Sequence, residues 1–312
     1  MNRTRSTGNI YPISRQCEGS EREGGRALLK RKFGWTGVEV PVLGQGTWMI
    51  EGSKQRGAEH EAIESLQLGL DLGLTHIDTA EMYGSGRAEQ IVGSAIEDRR
   101  EDVFLVSKVL PSNASYQGTI EACKKSLRRL KTEWLDLYLL HWPSSYPIAD
   151  TMRAMEKLVN DGLIRFIGVS NFDLEELQEA ERALTEHRIA CNQVLYYLGN
   201  RGIERRLLPY CARQEIAIVG YSPFGHGSFP SPQSEEGRVL EEVAKRHGRT
   251  PRQVALNFLT RHPNTFSIPK ARRAEHVKEN SSSVGWSLTD ADVAAIEKAF
   301  PLPRDDVPLE MI

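Results

Sequence analysis

Short apolar segments alternate with helical segments along most of the chain, and this alternation constrains the fold more than any other feature. Strands are predicted at residues 41–46, 75–78, 103–107, 135–140, 165–169, 191–196, 216–221 and 265–268. The segments between them have helical periodicity, as in 58–72 and 88–98, and the usual repeat is about thirty residues. Several strands are continuous apolar runs, as expected of parallel strands buried on both faces. The pattern predicts an α/β protein built from eight strand–helix units.

Two architectures fit this alternation, a closed eight-stranded barrel and an open doubly wound sheet. An open dinucleotide-binding sheet is expected to carry Gly-x-Gly-x-x-Gly between its first strand and helix. Here the first strand ends in Gly44-Gln45-Gly46-Thr47-Trp48, and bulky residues follow instead of the third glycine. The strand count therefore favours a (β/α)8 TIM barrel. Residues 31–42 alternate around Thr36-Gly37 and are predicted to form an N-terminal β-hairpin.

The length and composition are those of an ordinary protein with a hydrophobic core. The chain has 312 residues, of which 39% are hydrophobic and 26% charged, and no linker divides it. Residues 31–312 are predicted to form one barrel domain. Residues 1–30 mix Arg, Ser, Gly and Glu and are predicted to be a flexible N-terminal extension. A start codon placed too early and an organellar transit peptide are the alternatives for this extension.

Charge and cysteine usage exclude several classes of partner. Forty basic and forty-two acidic side chains give a net charge of −2, which provides no overall field for nucleic acid or an anionic membrane. No apolar run approaches the length of a membrane span. The four cysteines are scattered, as in a cytoplasmic protein with reduced thiols. The eight histidines are scattered too and HExxH is absent, so no metal site is predicted.

Four polar side chains lie at or just beyond the carboxyl ends of three predicted strands. Asp78 ends one strand and Tyr83 lies five residues beyond it, while Lys108 and His141 each directly follow another strand. The carboxyl ends of barrel strands form the face where active sites lie. A phenol near an ammonium has a lowered pKa and can donate a proton to a developing alkoxide, and Asp78 can pair with that ammonium. We therefore predict that Asp78, Tyr83, Lys108 and His141 form an acid centre that can donate a proton to a bound ligand.

Apolar side chains near the same strand ends predict a substrate pocket. Trp48 and Trp142 follow the first and fourth strands and are expected to wall an apolar slot above the four polar groups. Met49, Met82 and Phe224 are expected to contribute to it.

The motifs THIDTAEMYG, VSKV, LLHWP, GVSNF, NQV, YSPFG and IPK resemble those of the aldo-keto reductase family, over residues 32 to about 302. The resemblance implies that the hairpin closes the bottom of the barrel. It also implies NADPH-dependent reduction of aldehydes or ketones, with Tyr83 as the proton donor beside Asp78, Lys108 and His141.

The resemblance further implies a nicotinamide cofactor. The residues expected to bind it are Thr47, Trp48, Ser170, Asn171, Gln193, Tyr221, Ser222, Pro223, Lys270, Arg272, Arg273, His276, Glu279 and Asn280. Ser170, Asn171 and Gln193 would bind the carboxamide, and Tyr221 would stack on the ring. Lys270 precedes a predicted helix start and is expected to bind the 2′-phosphate of NADP, assisted by Arg272 or Arg273. Glu279 and Asn280 are expected near the adenine.

Two departures from the family pattern bear on the cofactor. Ala271 replaces a frequent Ser, and His276 stands where an Arg is usual. Both changes weaken the expected preference for NADP over NAD. Arg272 and Arg273 can supply the phosphate contacts that His276 lacks, so NADPH is the expected cofactor and NADH the alternative. The loops that set substrate choice are short, at residues 143–148, 222–232 and 300–312, and predict a shallow, open pocket for small aldehydes or ketones.

Two other functions remain open from the sequence. A Schiff-base lyase would use Lys108 as an amine nucleophile. A redox-sensing or interaction module would keep the cofactor site without significant turnover. Whichever function applies, we expect the protein to be a monomer or a weak homo-oligomer.

Overall fold

The computed structural model describes residues 28–52 and 57–312. Most of the predicted N-terminal extension, residues 1–30, lies outside the described residues. The described chain begins with an antiparallel hairpin of β1 (Lys30–Lys32) and β2 (Glu39–Pro41). Gly37 takes a left-handed φ of 72° between the two strands, a conformation that costs glycine little. The hairpin is thus where the sequence predicted it.

Eight further strands form one parallel sheet. They are β3 (Gln45–Gly46), β4 (His76–Asp78), β5 (Phe104–Val109), β6 (Leu135–Leu140), β7 (Ile164–Ser170), β8 (Ile189–Leu195), β9 (Ala217–Tyr221) and β10 (Thr265–Ser267). Each strand pairs with the next in chain order. A parallel bridge between Leu43 and Ser267 joins the two ends of the sheet. Gly46 helps this closure, because a Cβ there would lie 2.5 Å from the carbonyl oxygen of Ile268. The predicted (β/α)8 barrel is confirmed.

Ten helices pack around the described part of the barrel. They are α1 (Ala58–Asp71), α2 (Arg87–Ala95), α3 (Tyr116–Leu130), α4 (Ile148–Asn160), α5 (Leu174–Ala183), α6 (Leu207–Arg213), α7 (Glu235–His247), α8 (Pro251–Leu259), α9 (Ala274–Ser281) and α10 (Asp290–Ala299). α7 and α8 both lie between β9 and β10, and α10 packs against α7. α7 and α10 are therefore additional to the one helix per strand that the sequence predicted.

Two predicted strand boundaries need correction. The first barrel strand is shorter than residues 41–46, because Pro41 belongs to the hairpin and regular pairing with β4 starts only at Gln45. β5 is longer than predicted, since Val109 still pairs with Leu140 of β6. Lys108 is therefore the penultimate residue of its strand rather than the residue that follows it.

The hairpin side of the barrel is filled by aromatic packing. Phe33, between β1 and β2, is fully buried, and its ring centroid lies 4.9 Å from that of Phe104 and 5.0 Å from that of Phe266. The buried ring of His76 meets Phe33 edge-on at 6.1 Å. With this end filled by side chains, ligands enter from the end where the strands finish.

Candidate active site

The four predicted polar residues come together at the carboxyl end of three neighbouring strands. Asp78 ends β4, Lys108 lies one residue before the end of β5, and His141 directly follows β6. Tyr83 begins a 3-10 turn, Tyr83–Gly86, a few residues after Asp78. Parallel strands in register bring these ends to one face, so residues distant in sequence meet.

Lys108 is the centre of the group. Its fully buried ammonium donates to Asp78 Oδ2 at 2.6 Å, to the carbonyl oxygen of Thr79 at 2.9 Å and to Tyr83 Oη at 3.3 Å. An ammonium has three N–H donors, and all three have an acceptor here. The ring of His141 meets that of Tyr83 nearly edge-on, with centroids 5.7 Å apart. The phenol therefore lies between a cation and an imidazole.

The net effect on the phenol differs from the sequence prediction. Burial raises the pKa of Tyr83, and this outweighs the lowering that the nearby Lys108 ammonium produces. The predicted direction of the lysine's influence is correct, but the predicted net lowering of the pKa is wrong for the protein without ligand. Tyr83 is therefore a neutral phenol that carries its proton at physiological pH.

Lys108 is charged whereas His141 is neutral. Burial disfavours the charged form of Lys108, but the Asp78 carboxylate and the Tyr83 hydroxyl raise its pKa above the usual value, and it stays an ammonium. Burial, together with Lys108, lowers the pKa of His141 to about 2. The imidazole is therefore neutral at pH 7 and has one N–H to donate.

Amide and hydroxyl groups from the next strands adjoin the four residues. Gln193 Nε2 donates to Asp78 Oδ1 at 2.7 Å, and Asn171 Nδ2 donates to the carbonyl oxygen of His141 at 3.0 Å. Tyr221 Oη donates to Asn171 Oδ1 at 2.8 Å. One hydrogen-bonded network thus joins the ends of β4 to β9.

A cavity of about 480 Å³ opens above this network. Every residue of the predicted substrate pocket lines it, namely Trp48, Met49, Met82, Trp142 and Phe224. It is also lined by nine of the predicted cofactor residues, Thr47, Trp48, Ser170, Asn171, Gln193, Tyr221, Ser222, Pro223 and Lys270. The cavity thus extends from the four polar residues around Lys108 to Lys270, which precedes α9.

The remaining predicted cofactor residues are not part of the cavity lining. They are Arg272, Arg273, His276, Glu279 and Asn280, in and just before α9. Arg273 hydrogen-bonds to the ring of His276, and Glu279 accepts a bond from Thr250 Oγ1 at 2.6 Å. Asn280 is buried. These five residues therefore follow Lys270 in the chain and lie outside the cavity lining.

Lys270 is an exposed cation at the far end of the cavity. Partial desolvation lowers its pKa, the nearby Arg272 lowers it further, and the Glu51 carboxylate offsets part of this lowering. Within residues 28–52 and 57–312, no carboxylate lies within ion-pair distance of its ammonium. An anion bound there would relieve the repulsion between the two cations.

The profile of the Aldo/keto reductase family matches residues 42–300, most of the chain. The chain belongs to this family. The methylglyoxal reductase YeaE of Escherichia coli is 44% identical over 88% of this aldo/keto reductase and 96% of its own length. The glyoxal reductase of Bacillus subtilis is 35% identical over 84% of the chain and 89% of its own length.

Solved structures agree with this assignment. An aldo/keto reductase from Klebsiella pneumoniae in complex with NADP and acetate superposes with a TM-score of 0.85 at 38% identity, and the match covers 92% of this chain and all of that one. A thermostable aldo-keto reductase, Tm1743, in complex with the inhibitor epalrestat, gives a TM-score of 0.82 at 40% identity and covers 87% of this chain.

Sequence reasoning missed several residues that line the cavity of this aldo/keto reductase. They are Gly46, His226, Gly227, Ile268, Met311 and Ile312. His226 stacks on Trp48, with ring centroids 4.9 Å apart and planes at 27°, so two separate loops meet across the cavity. Its φ of 48° is unusual for a residue with a side chain, and such strain often marks functional sites. The glycines on both sides of His226 were the available signal for this sharp turn.

Two further features of the described residues bear on function. No group of three or more His, Cys, Asp or Glu side chains among them could hold a metal ion. None of the helices described here is long and apolar enough to cross a membrane.

Proposed function

We propose that this aldo/keto reductase reduces small aldehydes and ketones with NADPH, and that Tyr83 donates the proton. The observation that carries the proposal is the buried Lys108 ammonium, which contacts both the Asp78 carboxylate and the Tyr83 hydroxyl on the floor of the cavity. A carbonyl oxygen that accepts hydride develops negative charge, and a positioned acid beside a cation stabilises that charge.

Each of the four residues has a distinct part in this proposal. Tyr83 holds its proton because burial raises its pKa, and it releases the proton when an alkoxide forms beside it. Lys108, 3.3 Å away, then stabilises the phenolate. Asp78 keeps the ammonium charged and in place. His141 is neutral and directs its N–H towards the carbonyl oxygen.

The cofactor assignment rests on the shape and charge of the cavity. Its lining runs from Asp78 to Lys270 and includes the aromatic ring of Tyr221 and the amide of Asn171, groups that suit a nicotinamide. When bound there, the cofactor supplies the hydride. Lys270 would hold the 2′-phosphate, because it is an exposed cation that lines the cavity and forms no ion pair with a carboxylate among the described residues. NADH remains the alternative, since His276 is a weaker anion ligand than Arg.

Small dicarbonyls are the substrates that we propose first. Relatives that are 44% and 35% identical are a methylglyoxal reductase and a glyoxal reductase. Met49, Met82, Met311 and Ile312 are exposed apolar side chains that line the cavity and give it an apolar mouth. Met311 and Ile312 were not among the predicted substrate-pocket residues, and they enclose the pocket more than the sequence predicted. We expect aldehydes the size of methylglyoxal to react and bulky ketones to react poorly.

The test is to follow the oxidation of NADPH and NADH with methylglyoxal, glyceraldehyde and a nitrobenzaldehyde. Aldehyde-dependent loss of NADPH absorbance is the expected result, and the ratio of the two cofactors' rates measures the effect of His276. Tight NADPH binding without oxidation by any aldehyde would contradict the proposal and favour the sensor module.

The lyase alternative is disfavoured by the contacts of Lys108. A Schiff-base nucleophile must lose its proton, whereas this amine donates to three acceptors and has a raised pKa. Trapping with borohydride in the presence of substrate should leave the protein unlabelled. We also propose a cytoplasmic location, in keeping with the free, buried thiols of Cys123, Cys191 and Cys211.

A further inference from the structure

The two carboxylate oxygens of Asp78 have different partners. Oδ2 accepts from Lys108 Nζ at 2.6 Å, and Oδ1 accepts from Gln193 Nε2 at 2.7 Å. Asp78, Lys108 and Gln193 are 1%, 0% and 2% exposed, so water does not compete for these bonds. Gln193 belongs to β8, and β5, β6 and β7 lie between it and the strand of Asp78 in the sheet. The second bond therefore spans the barrel interior.

The backbone of Gln193 is fixed independently of its side chain. Its carbonyl oxygen accepts from the backbone N–H of Asn171 at 2.8 Å and from Ser170 Oγ at 2.9 Å. The amide therefore starts from a rigid position and reaches Asp78 while Gln193 also lines the cavity. A glutamine that served only to bind a ligand would keep both of its side-chain N–H donors for that ligand. Gln193 already uses one of them within the protein, on Asp78.

The bond from Gln193 to Asp78 affects which acceptors are available to the three N–H donors of Lys108. The contact to Tyr83 Oη, at 3.3 Å, is the longest of the three and the easiest to lose. A carboxylate that is free to turn can present both oxygens to one ammonium, and it would then compete for the N–H that now faces Tyr83. With Oδ1 occupied by Gln193, Asp78 offers Lys108 only one oxygen.

We propose that Gln193 is a positioning residue of the acid centre, which holds Asp78 in the orientation that leaves the third N–H of Lys108 for Tyr83. The inference rests on the proposed function and deepens it, because it assigns Gln193 a part in proton transfer beyond cofactor binding. The titratable groups facing Tyr83 are Lys108, Asp78 and His141, with Tyr221 on the far side. Of these groups in the described part of the chain, only the Asp78 side chain is hydrogen-bonded to the Gln193 side chain.

The test uses alcohol oxidation with saturating NADP, a direction in which Tyr83 must first lose its proton. Gln193→Met removes the amide donor and keeps the length of the side chain. With the Lys108 contact weakened, the phenolate is less stabilised, so the rising limb of kcat against pH should move up by about one unit. Gln193→Asn keeps an amide at the cavity but is one methylene too short to reach Asp78, and it should show the same shift.

Lys270→Met is the matched control, because it weakens cofactor binding at the other end of the cavity without touching Asp78. It should raise the NADPH dissociation constant and leave the rising limb in place. An unmoved limb in both Gln193 variants, with only NADPH affinity reduced, would overturn the inference and leave Gln193 as a cofactor ligand. Absence of turnover in the unaltered protein would instead overturn the proposed function, and the inference with it.

Discussion

Replacing Lys108 by Met should destabilise the protein as well as inactivate it. The Lys108 and Asp78 side chains are 0% and 2% exposed, so solvent does not screen their ion pair. Removing one member of such a pair leaves a buried charge and costs about 3–5 kcal/mol. Gln193 still donates to Asp78 in the variant, so we expect the lower end, about 3 kcal/mol of the free energy of unfolding.

A second variant separates the charge from the packing. Lys108→Met combined with Asp78→Asn removes both charges, and the asparagine oxygen can still accept from Gln193. The double variant should regain about 2 kcal/mol of what the single variant loses, because no unpaired charge stays buried. Neither variant should reduce aldehydes, since each lacks the ammonium beside Tyr83.

The assay is urea unfolding followed by tryptophan fluorescence, together with NADPH-dependent turnover. Lys157→Met is the control, because it removes a solvent-exposed pair with Asp161 and should leave the midpoint almost unchanged. A double variant no more stable than Lys108→Met would refute the reasoning, since the cost would then come from lost packing and not from the unpaired carboxylate.

Three further predictions concern other parts of the molecule. Burial lowers the pKa of His76 from 6.5 to about 3, so the unfolded state binds the proton first and stability falls as the pH drops below 6.5. The loss should reach about 3 kcal/mol near pH 4.5, and urea midpoints at neutral and acid pH should differ less in His76→Leu than in the exposed control His60→Gln. Lys270→Met should raise the dissociation constant of NADPH about tenfold or more and that of NADH little, by fluorescence titration, because a charge-assisted bond to phosphate is lost; equal effects on both would contradict the assignment. His226→Ala should weaken NADPH binding about 2–10-fold, since the stack on Trp48 across the cavity is lost; unchanged affinity would show that the stack does not act on the cofactor.

Local patterns in the sequence were sufficient for the fold. Apolar runs such as residues 104–106 are buried along their whole length, and the period of the intervening helices separated strand from helix. The first strand was misplaced because Pro41 continues the hairpin. This pairing leaves no mark in local periodicity, since it depends on tertiary contacts. The extra helix α7, in contrast, carries Leu240, Val243 and Ala244 on one buried face, so its helical period was present in the sequence and was missed.

The residues of the site could be predicted from their positions at the ends of strands, whereas the hydrogen bonds between them could not. The bond from Gln193 to Asp78 joins residues 115 apart in sequence and depends on how the barrel closes. The net pKa of Tyr83 depends on the balance between burial and Lys108, which only the structure provides. Met311 and Ile312 line the cavity, and the segment that leads to them is held at its start by a bond from Arg201 Nη1 to the carbonyl oxygen of Phe300 at 2.6 Å. This long-range contact is not visible in the local sequence.

The most direct test of the proposed chemistry is the turnover of Tyr83→Phe with NADPH and methylglyoxal. This change removes one hydroxyl and leaves the aromatic ring, so NADPH affinity measured by fluorescence should stay the same. We expect kcat to fall by at least ~10²-fold, the low end for loss of a positioned acid. Turnover close to that of the unaltered protein would contradict the claim that Tyr83 donates the proton.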